Sequence, residues 1–226
     1  MRVSVVTLIR DSQPMMNRQI LYMNGLKLPS DIEVIFIDHA NTPQVSFEEN
    51  PEFEAFIVRF EDRTPWIIPT LMNFARNYCH GKYIMKLDVD VMLSQAWVDY
   101  ALKSEDDYAE FKKIEAFLDE KGNLKEAVRV TKNVFHNICW AGGPGISWSS
   151  TEVFDRLEGW DTRYDGLGFG CDLDYKRRYL QLVLNEGFKV PSTGPDIYML
   201  PEKPSKKRPY ELLHTELKRG EFAPKW

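Results

Sequence analysis

The sequence predicts an α/β fold, a three-layer arrangement with a mostly parallel central sheet and helices on both faces. Three observations lead there. Short runs rich in Val, Ile, Leu and Phe recur at 3–9 (VSVVTLI), 32–38 (IEVIFID), 56–60 (FIVRF) and 83–88 (YIMKLD). These are apolar at successive positions rather than alternating, as strands buried on both faces must be. Segments with helical spacing of apolar residues separate them, and parallel strands need such crossovers. The composition, 43% hydrophobic and 28% charged with no long apolar run, is that of a globular chain large enough to bury a core.

The elements follow in order. Pro14 opens a helix over 14–27, with Ile20, Leu21 and Met23 facing inward. The stretch 64–81 (TPWIIPTLMNFARNYCHG) supplies a second helix, started by Pro69 and ended near Gly81. Residues 104–121 carry Tyr108, Phe111, Ile114, Phe117 and Leu118 at helical spacing and predict an amphipathic helix. A strand is expected at 128–135, a glycine-rich loop at 140–145 (WAGGPG) and a short strand at ISWSS. A glycine-rich turn then runs into a helix that opens with Asp172 and Asp174. Prolines at 191, 195, 201, 204 and 209 predict an extended tail wrapping the surface.

Charge and cysteine content narrow the function. A net charge of −5 argues against a general electrostatic trap for nucleic acid or anionic membrane. Cys79, Cys139 and Cys171 lack the spacing of a zinc site or a disulfide framework. With no secretory signal or membrane span in the sequence, the expected compartment is the reducing cytoplasm.

The informative stretch is YIMKLDVDVML (83–93), where Asp88 and Asp90 interrupt an apolar run. An unpaired carboxylate there loses hydration with nothing in return. Side chains two apart on an extended segment share a face, so the two carboxylates repel unless a cation or water separates them. In parallel sheets, ligands bind beyond the carboxyl ends of the strands. Asp38 and Asp88 both fall at such ends.

These elements and motifs together resemble GT-A glycosyltransferases, in particular the family-two-like nucleotide-sugar transferases with a galactosyltransferase-type C-terminal motif. The resemblance covers residues 3–185. It implies a GT-A (Rossmann-like) single domain over 1–226, with a nucleotide-binding half (1–100), a sugar and acceptor half (101–190) and a C-terminal wrap (191–226). Asp88-Val89-Asp90 matches the family's Asp-X-Asp motif, which implies Mn²⁺ or Mg²⁺ on the diphosphate of a UDP-sugar. VSVVTLIRD and VIFIDHAN place Thr7, Arg10 and Asp38 around the uridine. Asn73 and Gly81 match the lead-in to the motif, and Asn73, Lys86 and Gly143 join the expected donor contacts. LEGWDTRYDGLG resembles the sugar and acceptor segment, with Trp160 and Tyr164 as stacking residues and Trp140 and Trp148 as rivals. GCDLDYKRR is similar to the Glu-Asp-X-Asp-Leu-X-X-Arg motif, which makes Asp172 the general base and gives Asp174 and Arg178 to the acceptor side.

The sequence departs from the family at Cys171, where Glu is usual, at Tyr175, where Leu is usual, and at His39, which follows Asp38 in place of a second acid. His214 is the expected third metal ligand, with His136 as its rival. The expected reaction is metal-dependent transfer with inversion. A catalytically silent nucleotide-sugar-binding module and a nucleotidyltransferase are the alternatives. The expected acceptor is a saccharide; the basic KPSKKRP (203–209) keeps a modified DNA base open.

Overall fold

The computed structural model describes residues 2–65, 67–111, 113–119, 124–128, 146–167 and 170–199. Its first half alternates β1 (Val3–Ile9), α1 (Gln13–Leu26), β2 (Ile32–His39), β3 (Ala55–Phe60), α2 (Ile68–Ala75) and β4 (Tyr83–Leu87). Then come β5 (Val91–Met92), α3 (Gln95–Lys103), β6 (Tyr108–Glu110), β7 (Lys113–Leu118), β8 (Leu124–Val128), β9 (Ile146–Ser150) and α4 (Thr151–Arg156). The described chain ends with α5 (Cys171–Glu186), β10 (Ser192–Thr193) and β11 (Ile197–Met199).

Among the described residues the large sheet runs β10-β6-β9-β4-β1-β2-β3. Strands β3, β2, β1 and β4 are mutually parallel, whereas β9 lies antiparallel between β4 and β6. A smaller sheet runs β5-β11-β7-β8.

Strand alternation divides the core into two layers. Val3, Val5 and Ile9 of β1 and Tyr83, Met85 and Leu87 of β4 pack on α1 (Met16, Ile20, Met23) and α3 (Trp97, Val98, Ala101). Val6, Ile35, Ile37 and Ile84 face the other way, onto α2 (Leu71, Met72), α4 (Val153, Phe154) and α5 (Tyr175, Tyr179). The α1 stripe shows the helical period, Met16, Gln19, Ile20, Met23, and one of its members is polar.

The helix expected over 104–121 is not formed. Tyr108–Glu110 is a strand beside β9, and Lys113–Leu118 is a strand in the small sheet. Tyr108 packs into one core layer and Ala109 and Phe111 into the other. Strand pairing with β9 and β11 overrode an apolar spacing that, over so few residues, is satisfied by either structure.

Gly81 has a backbone reason. A Cβ there would lie 2.6 Å from the Ser4 backbone nitrogen and 2.7 Å from the Val3 carbonyl carbon. The turn into β4 therefore lies directly on β1, and the Gly81 N–H donates to Ser4 Oγ at 2.8 Å. Gly81→Ala is expected to cost about 1–3 kcal/mol, as overpacking does. A denaturant midpoint equal to that of the wild type would show that the turn can move away freely.

Candidate active site

The site is built around a corner. The chain leaves the large sheet at Leu87 and enters the small one at Val91, so Asp88, Val89 and Asp90 belong to neither. Residues 89 and 90 form a turn rather than an extended run. This corrects the shared-face expectation: the two-residue strand period stops before it reaches the second carboxylate. Asp88 remains where a ligand-binding acid is expected, directly beyond the carboxyl end of β4.

Lys86 lies beneath the corner. It is 1% exposed, and its ammonium donates to Asp88 Oδ1 at 2.8 Å. Burial alone would lower the pKa of this ammonium; Asp88, and beyond it Asp172, outweigh burial and raise it. Lys86 thus stands between the corner and the first turn of α5. The side chain offers a donor almost no surface, so its place is under Asp88 rather than against the nucleotide sugar.

From the opposite layer, Gln19 reaches the same corner. Fully buried on α1, it donates through Nε2 to the carbonyls of Asp88 (3.2 Å) and Val91 (2.8 Å). The sequence reading missed it, although a polar residue on the inward stripe of α1 was the available signal.

The N-terminus of α5 presents Asp172 and Asp174 on different sides, because residues two apart on a helix diverge. Asp172 is half-buried near Lys86, where the helix dipole favours a carboxylate. Asp174 is 5% exposed and accepts from Arg178 Nε at 2.8 Å. Arg178 in turn donates to the carbonyls of Leu157 (2.7 Å) and Gly159 (2.9 Å). The Cys171 thiol is pushed up to about 12, first by burial and then by Asp172. The residue in place of the family's Glu is therefore a neutral buried thiol.

Asn73 and Trp160 also occupy places other than those expected. Asn73 donates to the Trp160 carbonyl at 2.8 Å and accepts from the Trp160 N–H at 2.7 Å. Both ends of its amide are engaged, so it clamps the 157–161 loop. A Cβ on Gly159, whose φ is +75°, would lie 2.3 Å from Asn73 Oδ1, so only glycine lets the clamp close. Trp160 is 2% exposed and stacks on Tyr175 at 5.2 Å, which leaves its ring little to offer a sugar. Trp148 is wholly core, stacked on Tyr83 at 4.9 Å. Asn73, the loop and Arg178 line a shallow cavity of about 400 Å³. Tyr164 is half-buried against the same layer.

At the ends of β1 and β2, Asp38 is 1% exposed. It accepts from the Asn41 backbone (2.9 Å), the Asn41 amide (2.6 Å) and Arg59 (2.7 Å). Asn41 also donates to the Ile9 carbonyl at 2.8 Å and so ties the two strand ends together. Arg59, the one charge in FIVRF, was the overlooked signal here. His39 is buried against Phe60, and its pKa is lowered by burial and then by Arg10. Arg10 is exposed and donates to the carbonyls of Thr64 and Arg63. Thr7 is fully buried on the α1 side and offers a donor no surface. Gly143, Trp140, His136, His214 and the basic KPSKKRP lie outside the described residues.

Among the described residues, no three His, Cys, Asp or Glu side chains gather as a metal cluster. The oxygen donors Asp88 and Asp90 nevertheless fit Mg²⁺ or Mn²⁺, since such ions are commonly held by one or two carboxylates together with substrate phosphates. No helix among the described residues is long and apolar enough to cross a membrane.

No family model matches the chain, and no curated protein matches it in sequence. Solved structures do match. A mannosyltransferase from Pyrobaculum calidifontis, in complex with GDP-Man and Mn²⁺, superposes with a TM-score of 0.62 at 14% identity, over 98% of this chain and 65% of that one. The fold is that of GT-A glycosyltransferases. S. aureus TarS 1-349 superposes with a TM-score of 0.60 at 13% identity, over 88% of this chain and 60% of that one. Its complex with UDP-GlcNAc gives 0.57 at 12%, over 100% and 68%. The GT-A chain described here therefore spans 65% and 60% of the first two structures.

Proposed function

We propose that this chain is a metal-dependent, inverting glycosyltransferase that moves a sugar from a UDP-linked donor to an acceptor hydroxyl on a saccharide. The observation that carries the reading is Lys86, whose buried ammonium bonds Asp88 at the end of β4 and feels the charge of Asp172 at the start of α5. Acids from two separate motifs thereby act on one ammonium at the carboxyl edge of the parallel strands, where α/β sheets bind ligands.

Asp88 and Asp90 would hold Mn²⁺ or Mg²⁺. When bound, such an ion neutralises the charge that develops on the leaving diphosphate. Asp172 accepts the proton of the acceptor hydroxyl as its oxygen attacks the anomeric carbon. The new C–O bond forms as the bond to the diphosphate breaks, and attack from the opposite face inverts the centre. Asp38, buried and engaged at both oxygens by Asn41 and Arg59, braces the ends of β1 and β2 beside the nucleotide site. The first hundred residues serve the nucleotide, residues 101–190 the sugar and acceptor, and the chain after 190 the wrap.

The test is a panel of UDP- and GDP-sugars with Mn²⁺, read as nucleotide release with and without chelator. The solved neighbours bound to UDP-GlcNAc and GDP-Man put both nucleotides in the panel. Release from one UDP-sugar, abolished by chelator, is the expected result. Binding without release or transfer would instead favour a silent binding module.

A further inference from the structure

The Asp88–Asp90 corner is gripped from both helical layers, and neither grip is needed to pack the core. On one side is Gln19 of α1, between Met16, Ile20 and Met23 on an otherwise apolar stripe. Burying an amide costs free energy unless its hydrogen bonds are made. Its Oε1 has no partner among the described residues, whereas its Nε2 bonds the two carbonyls that bracket the corner. An apolar residue of the same size would fill that position, but it would take the Nε2 donor away from the two carbonyls of the corner. On the other side is Lys86, whose long side chain runs through the core to end on one oxygen of Asp88.

We propose that Gln19 and Lys86 are positioning residues, a two-sided clamp that presets the Asp88–Asp90 corner for a divalent cation. This rests on the reading above that the corner holds a metal. The corner has no ladder bonds, and the backbone bond across it, from the Val91 N–H to the Asp88 carbonyl at 3.0 Å, neither holds it against α1 nor fixes its carboxylates. Without the clamp, cation binding would have to order the corner, and that ordering would be subtracted from affinity. Gln19 fixes the backbone of the corner; Lys86 limits rotation of the Asp88 carboxylate.

The clamp is tested by Mn²⁺ binding, read from the EPR signal of free Mn²⁺ at saturating UDP, with no sugar transfer involved. Gln19→Met is expected to weaken Mn²⁺ binding about tenfold, roughly 1.4 kcal/mol. Lys86→Met should weaken it at least as much, and Lys86→Arg, which keeps the charge, should recover part of the loss. UDP affinity without metal should not change, whereas a general loss of structure would lower it too. Near-UV circular dichroism checks folding. If Lys86→Met does not fold, Gln19→Met, which removes no charge, decides the matter, with Gln19→Glu as its size-matched substitute. A wild type that takes up no Mn²⁺ with UDP overturns the metal reading itself. A wild type that binds Mn²⁺, with Met variants that bind it equally well, overturns the clamp alone.

Discussion

Asp172→Asn is expected to lower sugar transfer by about 10²–10⁴-fold, the range typical of a lost general base. Affinity for UDP in the presence of Mn²⁺ should be essentially unchanged. Asn keeps the size of the side chain and its capping ability but cannot take a proton. The neighbouring acid supplies the contrast. Asp174 is buried and bonded to Arg178, which holds the loop at Leu157 and Gly159. Asp174→Asn should therefore show first as lost stability, about 1–3 kcal/mol for a buried charged partner weakened. The pair of variants separates chemistry from architecture within one helical turn. Near-normal transfer by Asp172→Asn, with an intact acceptor, would remove the base from the mechanism.

The order of elements was legible from sequence because the first hundred residues state it locally. Each of β1, β2 and β4 is apolar at most positions, and Pro14 and Pro69 sit in the first turns of their helices. The second half was less legible. Tyr108, Phe111, Ile114 and Phe117 are three apart, which suits a helix, but their strands are decided by partners far along the chain, β9, β10 and β11. Non-local pairing leaves no local trace.

The site divides in the same way. Residues whose identity is odd for their setting stood out: Asp38 and Lys86 are polar within apolar strands, and Asp88 directly follows one. Their roles were harder to read, because role depends on partners. Asn73 looked like a donor contact until both ends of its amide were found on the Trp160 backbone. Trp160 looked like a sugar platform until Tyr175 was found stacked on it. Tyr175, one of the departures from the resembled motif, is the residue that supplies this stack. Gln19 escaped because an amide in a helix is unremarkable until its burial is known.

The second large effect concerns the metal. Asp90→Ala is expected to weaken UDP binding in the presence of Mn²⁺ by about a hundredfold or more, since even supporting partners of a metal site cost 10–100-fold. Wild type treated with chelator should fall to the same level. Asp90 is chosen as the probe because Asp88 is the hydrogen-bonded partner of Lys86. Asp88→Ala would take away the hydrogen-bonded partner of Lys86, and breaking a buried ion pair costs about 3–5 kcal/mol. The lower end of that range applies here, because Asp88 is 39% exposed and Asp172 still lies near the ammonium. Lost binding in Asp88→Ala would therefore mix metal loss with a disturbed core, whereas Asp90→Ala leaves the Lys86 contact in place. Calorimetry gives the answer directly: wild type with Mn²⁺ should bind UDP tightly, and the chelated wild type and Asp90→Ala with Mn²⁺ should bind it weakly and alike. Equal affinity in all three would mean that the corner holds no cation and that the diphosphate is met by other groups.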